Sequence, residues 1–69
     1  MIPSGVKDKM YPEVERWVKT QKTVSANQIQ RRFNMGYPHA ANLIDALEYN
    51  GVISGSNGSK PRDVLVNEP

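Results

Sequence analysis

The chain has 69 residues, 38% of them hydrophobic, and carries a formal net charge of +2 with no cysteine and one histidine. A chain of this length holds one small core and buries only about 60% of the surface that its unfolded form exposes, which disfavours the deep cleft of an enzyme. Without cysteines it has no disulfide or thiolate chemistry, and one histidine cannot supply a four-ligand zinc site, so we expect no catalytic residue, metal or cofactor.

The charge pattern favours a polyanionic partner over a membrane. From Arg16 to Arg62 the chain has seven basic and two acidic residues. A solvated surface explains such a balance about as well as a polyanion does. The longest apolar runs are too short to span a bilayer, and residues 1–15 lack the hydrophobic centre of a signal peptide. We therefore expect no membrane contact and a cytoplasmic location.

The N-terminal residues and the first helix differ in their periodicity. Residues 1–8 include proline, serine and glycine and show no repeat, so we predict a disordered leader before a domain at 9–67. Four apolar residues then recur at i, i+4, i+7 and i+8, namely Met10, Val14, Trp17 and Val18. This spacing predicts an amphipathic helix with Trp17 at the centre of its buried stripe.

A second helix follows a short extended segment at 22–24, which we expect at the edge of a small sheet. Ser25 and Gln28 are spaced as a capping box. The apolar positions of this helix are Ala26, Ile29 and Phe33. Gly36 is expected to end it in the left-handed conformation, and Pro38 suits the first turn of a third helix. A glycine-containing corner between two amphipathic helices predicts a helix-turn-helix.

The third helix is predicted from Pro38 to Asn50, with Gly51 as its C-terminal cap. At about 100° per residue, one face of this helix is apolar and is expected in the core; it comprises Ala40, Leu43, Ile44 and Leu47. The opposite face comprises Pro38, Asn42, Asp45 and Tyr49. We name these last four residues the outward row.

Two short β-strands are predicted after the third helix, at 52–54 and 63–66, joined by a polar segment whose Asn57-Gly58 pair is a hairpin signal. Three helices followed by a β-hairpin with a basic tip predict an α+β winged helix-turn-helix.

The third helix is the candidate base reader, because the major groove of B-DNA admits an α-helix and displays a distinct pattern for each base pair. Asn42 could bond an adenine edge through two atoms, or simply be solvated. Asp45 could accept from a cytosine amino group, repel phosphates or pair with a cation. His39, at the flank, could reach a base edge or phosphate, or be an ordinary surface histidine. Pro38 begins the same face.

Six further residues are candidate contacts to the DNA backbone: Arg31, Arg32, Tyr37, Tyr49, Lys60 and Arg62. The two arginines that end the second helix are favoured there by the helix dipole whatever the partner is. We name the predicted hairpin, residues 52–66, the wing. Its basic residues Lys60 and Arg62 could reach phosphates or the minor groove. Tyr37 could instead pack at the corner, and Tyr49 could cover the hairpin.

The run QRRFNMGYPHAANLIDALEYNGVI, followed by GSKPRDVLV, resembles the C-terminal gamma domain of the FtsK/SpoIIIE family of DNA translocases over about residues 11–66. The resemblance implies a winged helix that binds duplex DNA through its third helix and wing. In that family the domain binds short, oriented, G-rich chromosomal sequences that set the direction of the motor, and it contacts a tyrosine recombinase.

The chain departs from the family pattern at the base-reading positions. Where the family has G-Y-N-R-A-A-R, this chain has Pro38 for the asparagine, His39 for the first arginine and Asn42 for the second, while Asp45 keeps an acid. Because arginine reads guanine and asparagine suits adenine, we expect an altered base preference.

The partners remain open at this point. A single module of this size covers few base pairs, so we expect either tandem copies on repeated DNA sites or a homo-oligomer. The chain could be an excised domain or a free-standing relative carried by a phage or plasmid. The alternative function is a protein-interaction adaptor on the same fold, with a recombinase or a replication protein as partner.

Overall fold

A computed structural model describes residues 2–56, 58 and 60–68 of the chain. Its elements, in chain order, are a 3-10 helix at Ser4–Lys7, α1 at Tyr11–Val18, β1 at Thr23–Val24, α2 at Ala26–Phe33, α3 at Tyr37–Tyr49 and β2 at Arg62–Asp63. Three helices with a small antiparallel sheet are consistent with the predicted α+β winged-helix fold.

The core lies where α1, α2, α3 and the small sheet meet. Its largest fully buried side chains are Ile29, Leu43, Leu47, Ile53, Val14, Val18 and Val24. Each of the three helices and β1 contributes at least one of them, so no element buries its apolar face alone. This shared burial is the main source of stability for helices this short, because an isolated helix of 8 to 13 residues is marginal in water.

The buried stripe of α1 is centred differently from the prediction. Tyr11, Val14 and Val18 are buried, whereas Trp17 is only partly buried and packs against the edge of the core. The Trp17 ring meets Phe33 edge to face, with centroids 5.7 Å apart. The Tyr11 hydroxyl donates to Glu15 Oε2 and accepts from Asn50 Nδ2, both at 2.7 Å. A polar tip that satisfies its hydrogen bonds lets Tyr11 enter the core at this point.

The capping box at the start of α2 is confirmed. The Gln28 N–H donates to Ser25 Oγ at 3.3 Å, and the Ser25 N–H donates to Gln28 Oε1 at 2.8 Å. The end of α2 differs from the prediction, because Asn34 and not Gly36 takes the left-handed conformation, with φ of 54°. Asparagine tolerates this region better than most residues. Gly36 is extended and serves as the N-cap of α3.

The predicted core face of α3 is confirmed. Ala40, Leu43, Ile44 and Leu47 are all buried, and Ala46 joins them. Gly51 has φ of +75° just past the helix. Its N–H donates to the Glu48 carbonyl at 3.0 Å, and the Val52 N–H donates to the Leu47 carbonyl at 2.9 Å, which is the Schellman pattern.

The β-strands of the wing are shorter than predicted. β1 pairs antiparallel with β2, Thr23 opposite Asp63 and Val24 opposite Arg62. On the other side of β2, the predicted strand at 52–54 contributes a single bridge from Ile53 to Val64. The Asn57 position of the predicted turn lies outside the described residues, and Gly58 has φ of +65°.

The N-terminal residues differ from the predicted disordered leader. The 3-10 helix at Ser4–Lys7 packs on α3 and on the start of α1. Gly5 is buried, and a Cβ built on it would lie 2.2 Å from the Asn42 carbonyl oxygen. Only a residue without a side chain fits so close to another backbone. The absence of sequence periodicity therefore did not mean absence of packing.

Candidate nucleic-acid interface

The outward row lies on the surface, as the helical wheel predicts. Pro38, Asn42, Asp45 and Tyr49 are all exposed, and Tyr49 retains 54% of its accessible surface. The row is presented outward because the opposite face of α3 is anchored in the core through Leu43 and Leu47. A straight helix with one anchored face and one exposed polar face has the shape that a DNA major groove accepts.

An open groove of about 430 Å³ borders one flank of the outward row. It lies between α3, the start of α2 and the wing. Residues that line it include Asn27, Tyr37, Ala41, Asp45, Lys60 and Arg62. Two cations, one carboxylate and several neutral hydrogen-bonding side chains thus line one concave surface. The small Ala41 side chain leaves this flank of α3 open.

His39 is held by a hydrogen bond to Asp8 at the other flank of α3. Its Nε2 lies 2.6 Å from Asp8 Oδ2, and the two side chains retain 38% and 24% of their accessible surface. The Met10 N–H also donates to Asp8 Oδ1 at 2.8 Å. The hydrogen bond from Met10 is the largest influence on the pKa of Asp8 and lowers it; partial burial opposes this shift, and His39 adds to it. Asp8 therefore stays ionised, and because a carboxylate can only accept, Nε2 of His39 is the donor in this hydrogen bond.

Arg62 of the wing is similarly engaged inside the molecule. Its Nη1 donates to Glu48 Oε1 at 2.7 Å and to the Ser54 carbonyl at 3.0 Å. The Arg62 side chain retains only 17% of its accessible surface. Lys60, in contrast, is exposed at the tip of the wing. The two basic residues predicted as equivalent backbone contacts therefore differ: Arg62 fastens the wing to α3, and Lys60 stands in solvent.

The two arginines of α2 also differ. The Arg32 guanidinium lies over the Phe33 ring at 5.3 Å and over the Trp17 ring at 6.0 Å, which places it on the side of α2 that faces α1. Arg31 is exposed and borders a shallow hollow that it shares with Asn27. Asn27 also lines the groove beside α3, so Arg31 borders a hollow adjacent to that groove.

Two residues of this region were missed by the sequence analysis, Asp8 and Glu48. Asp8 is 31 positions from its partner His39, and Glu48 is 14 positions from Arg62. Neither spacing corresponds to a local motif, so only the fold brings the partners together. Tyr37, predicted at the corner or on DNA, is 56% exposed at the first position of α3.

The described residues include neither a membrane-spanning helix nor a cluster of metal ligands. Among residues 2–56, 58 and 60–68, no helix is long and apolar enough to cross a membrane. Within the same ranges, no cluster of three histidine or carboxylate side chains could hold a metal ion.

Comparisons with known proteins connect this geometry to one family. The family model described as the FtsK gamma domain matches residues 5–67. The DNA translocase FtsK of Bacillus cereus is 49% identical over 63 residues, which cover 91% of this chain and 8% of the translocase. The DNA translocase SpoIIIE of Bacillus subtilis is 45% identical over 65 residues, covering 94% of the chain and 8% of SpoIIIE.

A third relative, the DNA translocase SftA of Bacillus subtilis, is 46% identical over 59 residues, covering 86% of the chain and 6% of SftA. The chain thus spans less than a tenth of the length of each of these relatives. The match begins at residue 5, so it includes most of the 3-10 helix that packs on α3. With a family model that covers nearly the whole chain, the protein belongs to the FtsK gamma domain family.

Proposed function

We propose that this domain binds double-stranded DNA with a sequence preference, placing α3 in the major groove and the wing beside it. The observation that carries the proposal is the outward row, four exposed residues without a long aliphatic side chain on a helix whose opposite face is buried. Membership of a family whose relatives are named DNA translocases supports a role on DNA.

Base reading is assigned first to Asn42 and Asp45, which are exposed near the middle of α3. The Asn42 carboxamide suits adenine, and the Asp45 carboxylate suits the cytosine amino group. Pro38 and His39 lie at the start of the same surface. Because Asp8 holds Nε2 of His39, that ring has only Nδ1 left for a base or a phosphate.

Backbone contacts are assigned to the cations that the fold leaves in solvent. Lys60 lines the groove beside α3, Arg31 borders the hollow that shares Asn27 with that groove, and both are exposed. Tyr37 and Tyr49 are exposed near the two ends of the helix. Arg62 is engaged by Glu48, and Arg32, although exposed, lies over aromatic rings, so we assign them mainly to holding the wing and α2 in place. A phosphate could still share the unused nitrogens of either guanidinium.

Selection of duplexes from a randomised pool at two salt concentrations tests the proposal. We expect one enriched motif and binding that weakens with salt, because phosphate contacts release counterions. Replacing Asn42 by Ala should cost about 1 to 3 kcal/mol on the enriched motif. Asn42→Arg is the matched variant and should move the preference from adenine towards guanine. No enriched motif, or a motif that both variants leave unchanged, would contradict base reading by α3.

The role of the domain within a larger assembly follows from its size. A single DNA-reading module buries only about 600 to 1,000 Å² of protein surface, so useful affinity calls for tandem copies on repeated sites or a homo-oligomer. We propose that such copies orient a translocase on DNA, since the relatives carry this domain as a small part of a DNA translocase. The length of the repeated unit in an enriched motif would report the number of adjacent sites.

A protein-interaction role is the second candidate. It is favoured by the internal contacts of His39 with Asp8 and of Arg62 with Glu48, which leave fewer free groups for DNA than the sequence alone suggests. Capture of a tyrosine recombinase or a replication protein from nuclease-treated extract would support this role. Loss of every captured protein after nuclease treatment would count against it.

A further inference from the structure

The N-terminal 3-10 helix, Ser4–Lys7, contacts α3 backbone to backbone. Built on Gly5, a Cβ would lie 2.2 Å from the Asn42 carbonyl oxygen, 2.7 Å from the Asn42 carbonyl carbon and 3.1 Å from the Leu43 nitrogen. Real Cβ atoms do not approach other atoms within 3.0 Å. Gly5 therefore touches the main chain of the residue that is the first candidate base reader.

Asp8 provides a second anchor, one turn nearer to the start of α3. One carboxylate oxygen accepts from the Met10 N–H at 2.8 Å, and the other lies 2.6 Å from His39 Nε2. The Tyr11 N–H, at the start of α1, donates to the Asp8 carbonyl at 3.0 Å. Asp8 thus joins the 3-10 helix, the first turn of α1 and the first turn of α3.

These two anchors hold the flank of α3 that the 3-10 helix covers. α2 packs against α3 from one side and the 3-10 helix from another, and these are the two largest sets of contacts that α3 makes with named elements. Apolar contacts alone leave a packed helix some freedom to rotate and slide, because they are not directional. The backbone contact at Asn42 and the hydrogen bond at His39 restrict both movements.

We propose, on the basis of the DNA binding proposed above, that Gly5 and Asp8 are positioning residues that set the orientation of α3 for base reading although neither contacts DNA. Asp8 acts through the His39 ring, and Gly5 acts through the Asn42 main chain. The expected effect of losing Asp8 on DNA recognition is opposite to the effect that net charge alone predicts. Removing the Asp8 carboxylate makes the domain more positive, which by itself strengthens binding to a polyanion, yet loss of positioning weakens recognition.

The variant that isolates this role is Asp8→Ser. A serine hydroxyl can still accept from the N–H two residues on, so the turn at Met10 is kept, while its side chain is too short to reach His39. Glu13→Gln is the matched control, because Glu13 is exposed on α1 and its loss changes the net charge equally. Circular dichroism melts would establish that both variants are folded at the temperature of the binding assay.

The measurement is Kd for the enriched duplex and for a random duplex of the same length. We expect Asp8→Ser to reduce the ratio of preferred to random binding about tenfold, an effect within the range found for coupled neighbours. Glu13→Gln should leave that ratio unchanged and tighten both duplexes slightly. In a His39→Ala background, Asp8→Ser should change the ratio by less than about twofold, because the pathway through His39 is then already lost.

Gly5→Ala tests the other anchor independently. The added methyl group forces the 3-10 helix or α3 to move, so the same ratio should fall about tenfold, whereas Gly55→Ala, at an exposed glycine with ordinary space around it, should not change it. Equal ratios for Asp8→Ser and Glu13→Gln, or an effect of Asp8→Ser that persists in full without His39, would overturn the role of Asp8. An unchanged ratio in Gly5→Ala would overturn that of Gly5. Failure of the wild-type domain to prefer any duplex would instead defeat the proposed function, and the positioning role with it.

Discussion

Replacing Tyr11 by Phe should destabilise the domain by about 1 to 2 kcal/mol. The tyrosine is 7% exposed, and its hydroxyl bridges Glu15 Oε2 and Asn50 Nδ2 at 2.7 Å each. A hydrogen bond contributes about 0.5 to 1.5 kcal/mol, and more when one partner is charged. Both partners lie partly in solvent and can bond to water after the change, so the lower part of the range applies to each.

The assay is thermal unfolding at pH 7 followed by circular dichroism. For a domain of this size, 1 kcal/mol lowers Tm by about 4 to 8 °C. Tyr37→Phe is the matched control, because that ring is 56% exposed and a surface change of this kind stays within about 0.5 kcal/mol. Equal Tm values for Tyr11→Phe and Tyr37→Phe would refute the reasoning that the Tyr11 hydroxyl links α1 to the end of α3.

The same tyrosine predicts part of the loss of stability in alkali. Burial raises the pKa of Tyr11 from 10.0 to about 12; donation from Asn50 opposes the shift, and the bond to Glu15 adds to it. Since the folded pKa lies above the unfolded one, this contribution is fully present below pH 10 and is lost as pH rises towards 12. A shift of this size corresponds to at most about 3 kcal/mol.

The stability gap between wild type and Tyr11→Phe should therefore narrow with pH. We expect the wild type to be the more stable at pH 8 and the difference to shrink steadily above pH 10, because phenylalanine has no proton to lose. All other residues are the same in both proteins, so their contributions cancel in the difference. A gap that stays constant up to pH 12 would contradict the raised pKa of Tyr11.

Three further changes test the turns and the wing. Ser25→Ala removes half of the capping box and should cost about 1 kcal/mol in urea unfolding; no loss would show that the box is dispensable. Gly51→Ala, at φ of +75°, should cost about 1 kcal/mol or more. Gly36→Ala, at φ of −72°, should cost less, because alanine adopts that backbone without strain although it caps a helix less well than glycine; the reverse order would contradict the assignment of the two turns. Lys60→Ala should lower the slope of log K for duplex binding against log salt concentration by about one, the value of one phosphate contact. Arg62→Ala should lower Tm instead. A Tm unaffected by the loss of Arg62 would mean that its pair with Glu48 adds no stability.

The local elements of the domain were predictable because their determinants lie within a few residues of one another. The capping box needs only Ser25 and Gln28, and the cap at Gly51 needs only a glycine at the end of a periodic segment. The division of α3 into a buried and an exposed face follows from the helical repeat alone. Even so, the residue that ends α2 was predicted wrongly, since both Asn34 and Gly36 tolerate the left-handed region and the choice depends on where α3 must start.

By itself, the sequence determined the three helices, the exposed row on α3 and the family, because each of these depends on spacing or on residues that stand close together in the chain. Only the tertiary structure decided which charged groups remain free. It pairs His39 with Asp8 and Arg62 with Glu48, leaves Lys60 in solvent, and brings Gly5 against the backbone of α3. The physical reason is that such contacts join residues far apart in the chain, and their geometry exists only after the shared core has placed the helices and the wing around it.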